Sequence, residues 1–369
     1  MMPTHTPATG LAADIERLVR PQVQALAAYH VAPAEGLVKL DAMENPYHWP
    51  QPLVDAWLER LRAVQLNRYP AADPLPLKRQ LAIGAGVPPG AELLLGNGSD
   101  ELIQLVAMSV ARPGASALVL QPSFSMYRLI GEACGLTVHG CELDANFEID
   151  PPRLFEALER YQPALVLVDY PNNPSGRLFD REVLLELMRR APGLVVIDEA
   201  YFPFAERSFM PALAQFPNLL VMRTLSKVGL AGLRLGFLAG HPAWLEQFNK
   251  IRLPYNVNSL TQASAEFALA AGGLFVDQAA CLRRDRAELE QALAQLDGVQ
   301  YWPSATNFIL FRVTGTDAAG VYEALLGQGI LIKSLAAQGG LLQNCLRVTV
   351  GTPEENRLFL AALRRALAA

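Results

Sequence analysis

The sequence predicts an α/β protein with a mostly parallel sheet, and three observations support this fold class. Between residues 93 and 239, short β-rich runs alternate with helical stretches, as in chains built from β-α-β units. Continuous apolar runs such as 194–197 suit strands that helices bury on both faces. After Pro254 the pattern changes to long helices followed by an α+β tail, which indicates a second, smaller domain.

The segments before the sheet are predicted helices separated by proline-rich breaks. Apolar residues recur at helical spacing over 11–28, and a loop at 32–35 follows. Amphipathic helices are predicted at 53–62 and 76–84, with Tyr69 in the loop between them. We therefore expect an N-terminal arm and helix over 1–45 that packs with the small domain or a dimer partner.

Seven apolar or β-branched runs predict a seven-stranded sheet in a large domain over 46–255, with helices on both faces. These runs are 93–95, 117–120, 137–141, 165–168, 194–197, 219–222 and 235–239. The small domain over 256–369 is predicted to have helices from 261 to about 296 and strands at 308–312, 330–332 and 346–350. Ligands bind beyond the carboxyl ends of parallel strands, so polar residues directly after these runs are site candidates.

Composition excludes several function classes. The chain has 369 residues, 51% of them hydrophobic and 18% charged, which is typical of a globular protein. Its net charge of -5 and its scattered basic residues argue against a nucleic-acid partner, and no apolar run is long enough to span a membrane. The first ten residues do not resemble a signal peptide, so cytoplasm is the expected compartment. The four cysteines and five histidines show no spacing typical of a metal site.

The first candidate site segment is 96–101, between a predicted strand and the helix that starts at 102. Its glycines allow close approach of a phosphate, and the helix N-terminus offers unpaired N–H groups. Taken alone, ordinary capping by Ser99 or Asp100 explains the same residues better. A third glycine is missing, which argues against a dinucleotide-binding fingerprint.

Three further segments follow strands in the same way. The first, 169–176, has the composition of a tight turn. In the second, Asp198 could pair with a buried cation and Tyr201 could point the same way, although an acidic helix start is equally plausible. In the third, Lys227 has small and apolar neighbours that would desolvate it and favour its neutral, nucleophilic amine. An exposed loop lysine is the alternative.

Together, the PNNPSG turn, the DEAY segment and the SK lysine resemble fold type I, aspartate-aminotransferase-like pyridoxal phosphate enzymes. The resemblance implies that Lys227 carries pyridoxal 5'-phosphate and moves a proton as a base. It further implies that Asp198 pairs with the pyridine nitrogen, and that Asn173 and Tyr201 hydrogen-bond the phenolic oxygen. The other cofactor-binding residues implied are Gly98, Ser99, Asp100, Ser226 and Arg234 at the phosphate, Phe124 stacked on the ring, and Tyr69 from a neighbouring subunit.

A finer resemblance concerns the substrate. Segments 40–46, 67–70 and 346–352 are similar to those of histidinol-phosphate aminotransferases. That similarity implies a homodimer with an active site shared across its interface, which exchanges an amino group between L-glutamate and imidazole acetol-phosphate. The products would be 2-oxoglutarate and L-histidinol phosphate, in histidine biosynthesis. Arg347 would bind the α-carboxylate of one substrate and the phosphate of the other, with Lys333, Asn45 and Asn173 as further substrate-binding residues.

Two departures from the family and three alternatives bear on this expectation. The spacing from Lys227 to Arg234 is one residue shorter than is usual in the family, and Lys333 stands where many relatives carry arginine. An aromatic amino acid aminotransferase or a threonine-phosphate decarboxylase would preserve every cofactor residue. A non-catalytic, cofactor-sensing regulatory module would need an attached DNA-binding unit, for which the first 45 residues are too few and insufficiently basic.

Overall fold

The computed structural model describes residues 8–28 and 33–368. Parts of the predicted arm and loop, 1–7 and 29–32, lie outside the described residues, as does Ala369. The prediction of one helix over 11–28 is wrong: the first helix ends at Leu18, and a separate short turn begins at Pro21. The physical reason is Pro21, which lacks the N–H that a continuing helix needs and clashes with the preceding turn.

Fourteen helices lie in the described residues. In chain order they are α1 (Ala8–Leu18), α2 (Pro21–Gln24), α3 (Gln51–Arg62), α4 (Leu75–Ala85), α5 (Gly98–Val110), α6 (Met126–Cys134), α7 (Pro151–Tyr161), α8 (Arg181–Arg190), α9 (Phe202–Ala205), α10 (Pro242–Ile251), α11 (Ser259–Ala270), α12 (Gly272–Ala294), α13 (Ala318–Gly327) and α14 (Pro353–Ala368).

Thirteen strands lie in the same described residues. They are β1 (Val38–Lys39), β2 (Glu92–Gly96), β3 (Ser116–Gln121), β4 (Thr137–Glu142), β5 (Leu165–Asp169), β6 (Leu194–Asp198), β7 (Leu219–Thr224), β8 (Gly236–Gly240), β9 (Val299–Tyr301), β10 (Phe308–Val313), β11 (Ile330–Leu331), β12 (Lys333–Ser334) and β13 (Cys345–Thr349).

The larger sheet confirms the predicted α/β architecture. Its seven strands lie in the order β2-β8-β7-β6-β5-β3-β4. Strands β7, β6, β5, β3 and β4 run parallel, whereas β8 is antiparallel to both of its neighbours. The five residues of β5 and those of β6 are all buried, as expected for strands that helices cover on both faces. One face packs against α5, α6 and α10, and the other against α4, α7 and α8.

Side-chain caps begin several of these helices where the sequence changes from loop to amphipathic run. Asp150 accepts the backbone N–H of Arg153 at the start of α7, and Asp180 does the same for the first turn of α8. Such a cap satisfies an otherwise unpaired N–H and contributes about 1 kcal/mol. Helix α5, by contrast, begins without such a bond, because the side chain of Asn97 before it caps none of its N–H groups.

A second, four-stranded antiparallel sheet, in the order β12-β13-β10-β9, forms the core of the C-terminal part with α13 and α14. The predicted strand at 330–332 is divided, because β11 pairs with β1 while β12 pairs with β13. The chain just before residue 46 therefore packs on the C-terminal part. No single described helix is long and apolar enough to cross a membrane; α11 and α12 pass that test only as a pair, and they meet at a 75° bend.

Candidate active site

The candidate site lies at the carboxyl ends of the central strands, where the sequence predicts it. In the sheet register, Asp169 at the end of β5 lies beside Asp198 at the end of β6, and Asp198 lies beside Met222 of β7. The chain then turns directly into the segment that carries Lys227. Parallel pairing thus gathers strand ends that are about 25 to 30 residues apart in sequence.

Lys227 lies in a π-helical turn over Ser226–Leu230, with its amine turned inward. Its Nζ donates to the carbonyl oxygen of Ala42 at 3.2 Å and lies 5.9 Å from the centre of the Tyr201 ring. Burial, reinforced by the positive charge of Arg347, lowers the pKa of the Lys227 amine to about 8. A substantial share of this amine is therefore neutral near pH 8, as nucleophilic chemistry requires.

Asp198 is a buried carboxylate held by two donors. Its Oδ2 accepts from the hydroxyl of Tyr127 at 2.8 Å, and its Oδ1 accepts from the backbone N–H of Ala200 at 3.0 Å. Burial raises the pKa of Asp198 to about 6, so ionising it costs about 3 kcal/mol relative to water. No cation among the described residues bonds to it, and a positively charged ring nitrogen would offset that cost.

Asn173, Tyr201 and Arg347 form one connected group. The side-chain amide of Asn173 donates to the Tyr201 hydroxyl at 3.2 Å, and its oxygen accepts from Nη1 of Arg347. All three residues are buried. Because the Tyr201 hydroxyl accepts from Asn173, its own proton is available for another acceptor. Burial raises the pKa of Tyr201 well above its usual value, so the hydroxyl stays protonated and can donate.

The start of helix α5 and Arg234 form a candidate anion site. Gly98 has φ +77°, a backbone conformation that favours glycine, and a Cβ there would lie 2.9 Å from Nη2 of Arg234. The same guanidinium is 3.7 Å from the carboxylate of Asp100. Ser99 and Asp100 lie inside the first helical turn, so the expectation that either caps the helix is wrong. The uncapped N–H groups and the guanidinium suit a phosphate.

The short spacing between Lys227 and Arg234 is accommodated by local structure. The π turn is followed at once by a 3-10 turn, Ala231–Leu233, and Gly229 adopts φ +117° inside the turn. These two turns bring the chain, at Arg234, back to the start of helix α5 within seven residues of Lys227. Ser226 is buried at the start of the same segment, where its hydroxyl bonds to that of Thr224 at 2.9 Å.

The two predicted cationic substrate-binding residues lie side by side. Lys333 of β12 is paired with Arg347 of β13 in the antiparallel register, so the two side chains project from the same face. Arg347 is fixed by Asn173 and by the carbonyl oxygen of Asp41, at 3.2 Å from Nη2. Arg347 thus contributes a planar guanidinium to the site, and Lys333 carries an ammonium on the same face of the sheet.

The remaining predicted residues differ in placement. Phe124 packs edge-on against Tyr127, with ring centres 5.5 Å apart. The side-chain amide of Asn45 donates to two atoms of the protein, the carbonyl oxygen of Val228 at 3.0 Å and the side-chain oxygen of Gln278 at 2.9 Å. This ties the segment around Asn45 to the Lys227 turn. Tyr69 is 81% exposed and stacks on Tyr255.

Sequence reasoning missed Tyr127 and Asp169. Tyr127 lies on amphipathic helix α6 and has the pattern of an ordinary core residue; only the fold brings its hydroxyl to Asp198. Asp169 belongs to a segment whose composition is that of a turn, and its buried hydrogen bonds have no sequence signal.

The site has the groups that pyridoxal phosphate requires. The first two are the amine of Lys227, whose pKa is lowered, and the buried carboxylate of Asp198, which has no cationic partner among the described residues. The others are the neighbouring hydrogen-bond donors Asn173 and Tyr201, and the start of helix α5 with the guanidinium of Arg234. The donor set therefore fits the cofactor's aldehyde, ring nitrogen, phenolic oxygen and phosphate.

Comparison with known proteins gives consistent results. The family model for aminotransferase class I and II matches residues 35–363. Histidinol-phosphate aminotransferase 2 of Nitrosococcus oceani is 51% identical over 95% of this chain and 97% of its own length, and histidinol-phosphate aminotransferase 1 of Ralstonia nicotianae is 50% identical over 95% of each. The crystal structure of histidinol-phosphate aminotransferase from Sinorhizobium meliloti, in complex with pyridoxal-5'-phosphate, shares the fold with a TM-score of 0.84 at 24% identity, covering 95% of this chain and 98% of that one.

Proposed function

Because the chain belongs to the aminotransferase class I and II family, we propose that it is a pyridoxal-phosphate-dependent histidinol-phosphate aminotransferase. It exchanges an amino group between L-glutamate and imidazole acetol-phosphate, and its products are 2-oxoglutarate and L-histidinol phosphate, in histidine biosynthesis. The observation that carries the substrate assignment is the pair of Arg347 and Lys333 on one face beside Asn173, together with relatives about half identical over nearly the whole chain.

The chain's own residues divide the work of this reaction. Pyridoxal phosphate, when bound, supplies a conjugated electron sink next to the substrate's α-carbon. Lys227 moves a proton from the α-carbon, as its lowered pKa of about 8 permits. Asp198 holds a proton on the ring nitrogen, and Tyr127 holds Asp198 in place. Asn173 and Tyr201 stabilise negative charge on the phenolic oxygen.

Arg347 serves both half-reactions. A planar guanidinium binds a carboxylate or a phosphate with two parallel hydrogen bonds, so one residue can accept glutamate and histidinol phosphate in turn. Asn173 and the Asp41 carbonyl fix its orientation before substrate arrives. Lys333 adds a second positive charge that favours the doubly charged phosphate over the carboxylate.

A panel of amino donors with 2-oxoglutarate tests this proposal. We expect kcat/KM for L-histidinol phosphate to exceed that for L-phenylalanine by about 100-fold or more, because only the former offers a phosphate to the cationic pair. The measurement is glutamate formation under steady-state conditions. A preference for phenylalanine would make the protein an aromatic aminotransferase. Release of carbon dioxide from L-threonine phosphate would make it a decarboxylase, and cofactor binding without turnover would leave a regulatory module.

We also propose a homodimer with an active site shared across its interface, to which Tyr69 of each subunit contributes. The stacked pair of Tyr69 and Tyr255, with ring centres 4.6 Å apart, lies on a surface that also exposes Leu66 and Leu253. Apolar side chains exposed together are typical of a surface that another chain covers. In an isologous dimer a contact made by Tyr69 of one subunit is made equally by Tyr69 of the other, so both active sites would receive this residue from the partner.

Complementation between a Lys227 variant and a Tyr69 variant, each of which we expect to have little activity alone, tests the shared site. Lys227→Ala and Tyr69→Ala proteins, unfolded together and refolded as a mixture, should regain about a quarter of wild-type activity, since half of the dimers are mixed and each has one intact site. Each variant refolded alone is the control. Absence of any regain, with sedimentation velocity showing mixed dimers, would contradict the shared site.

The predicted division into an arm at 1–45, a large cofactor-binding domain at 46–255 and a small domain at 256–369 is part of this proposal. The separate seven-stranded and four-stranded sheets support it, as does the pairing of β1 with β11. Cytoplasm is the proposed compartment; the four cysteines are free thiols, which suits a reducing environment.

A further inference from the structure

Asp169 is a buried carboxylate for which the proposed reaction has no use. It is the last residue of β5, is 2% exposed, and lies beside Asp198 in the sheet register. Its hydrogen-bond partners are two backbone amides and one side-chain amide. Burial raises the pKa of Asp169 to about 7, so the fold keeps a carboxyl group here at a cost. Burying an ionisable carboxyl group destabilises its charged form, so the presence of Asp169 beside the site needs a physical explanation.

The partners of Asp169 supply that reason. Its Oδ2 accepts from the backbone N–H of Asn173 at 2.8 Å and from that of Phe124 at 3.3 Å. Under the proposed function, Phe124 stacks on the face of the cofactor ring and Asn173 donates to its phenolic edge. One oxygen atom therefore joins the backbones of two residues that, under the proposed function, would both contact the ring.

A second connection runs through Asn172, which is fully buried. Its side-chain amide donates to Oδ1 of Asp169 at 3.0 Å and to the carbonyl oxygen of Pro122 at 3.1 Å. Its oxygen accepts from the backbone N–H and the hydroxyl of Ser175. The turns that follow β3 and β5 are thus joined by a closed network in which Asp169 is the acceptor common to both.

We propose that Asp169 is a positioning residue that sets the separation between Phe124 and Asn173 and thereby the fit of the cofactor ring; this inference rests on the proposed function. An aspartate suits the position because three donors converge on it and a carboxylate is an acceptor at both oxygens. Asparagine has a single acceptor oxygen, so it can accept from the two backbone amides or from the amide of Asn172 but not from both, and its own amide then faces the donors that are left over. Asn172 cannot turn its own side-chain oxygen toward the new amide, because that oxygen already accepts two hydrogen bonds from Ser175.

The test compares Asp169→Asn with Asp317→Asn as a matched control. Asp317 also accepts a backbone amide, that of Gly320 at the start of α13, but in the C-terminal part away from the strand ends. The readouts are the dissociation constant of pyridoxal phosphate from the apo protein, measured well below each melting transition, and the pH midpoint of the cofactor's visible absorption band. Neither readout depends on turnover.

We expect Asp169→Asn to weaken cofactor binding by about tenfold. We also expect the midpoint to move to higher pH, because misplaced donors stabilise the phenolic oxygen less. Tyr201, Asp198, Lys227 and Arg347, the titratable groups that face the ring, stay unchanged in the variant. Asp317→Asn should leave both readouts at the wild-type values.

Unchanged binding and an unchanged midpoint in Asp169→Asn would overturn the positioning role while leaving the aminotransferase assignment intact. A wild-type protein that binds no pyridoxal phosphate would instead overturn the proposed function, and with it this inference. If the variant does not fold, hydrogen exchange on the wild-type apo protein tests the same proposal without it. The amides of Phe124 and Asn173 should be as protected as those of β5, and free exchange at either would overturn the proposal.

Discussion

Replacing Lys227 with alanine is expected to lower kcat for transamination by about 10⁴-fold, the upper end of what a positioned base contributes. The second amine predicted at the site, Lys333, lies with Arg347 on the second sheet. Water would have to move the proton in the variant, and it is neither positioned nor of suitable pKa. The measurement is steady-state glutamate formation from L-histidinol phosphate and 2-oxoglutarate.

Lys250→Ala is the matched control for this variant. Lys250 is an exposed lysine on α10 whose amine bonds to Gln247 at 2.7 Å, so its loss removes the same side chain outside the site. We expect wild-type kcat from the control. Retention of more than about a hundredth of wild-type kcat by Lys227→Ala would show that another group is the base.

Replacing Arg347 with alanine is expected to raise KM for both L-glutamate and L-histidinol phosphate, by about 30-fold to several hundred-fold. Removing one partner of a buried, hydrogen-bonded charge pair costs about 2 to 4 kcal/mol, and 1.4 kcal/mol is a factor of ten. Arg347→Ala also frees the oxygen of Asn173, which the guanidinium holds in wild type. The two KM values, measured separately with the other substrate saturating, check the prediction.

Two further variants separate charge from geometry at this position. Arg347→Lys keeps the charge and loses the planar fork, so both KM values should remain raised. Lys333→Ala should raise KM chiefly for the phosphate substrate, by about tenfold, because its ammonium acts as a point charge beside Arg347. An Arg347→Ala protein in which only one of the two KM values rises would contradict the shared use of this arginine.

The sheet could be predicted from the sequence because its signal is local. Runs such as 165–168 and 194–197 are apolar throughout, and the observed strands β5 and β6 extend each by a single residue. Their last residues are the two aspartates of the site. The rule that ligands bind at the carboxyl ends of parallel strands then predicts the edge of the sheet at which β6 ends in Asp198 and the segment after β7 carries Lys227.

Other features depend on contacts between distant residues and have no local signal. Arg347 bonds to Asn173 across 174 positions, and Tyr127 bonds to Asp198 across 71. The path from Lys227 to Arg234 needs a π turn with Gly229 at φ +117°, which a one-residue difference in spacing does not reveal. The role of Asp169 could not be predicted from sequence for the same reason, because its three hydrogen-bond donors come from two separate turns.

Borohydride reduction of the protein loaded with pyridoxal phosphate, followed by peptide mapping, tests the central claim most directly. The reduction makes the link between the cofactor and its lysine permanent, so mass spectrometry identifies the residue that carries it. We predict that the label lies on the peptide containing Lys227, at about one per chain, and that prior addition of L-histidinol phosphate removes it. Label on Lys333 or on exposed lysines instead, or label that L-histidinol phosphate does not displace, would contradict the account.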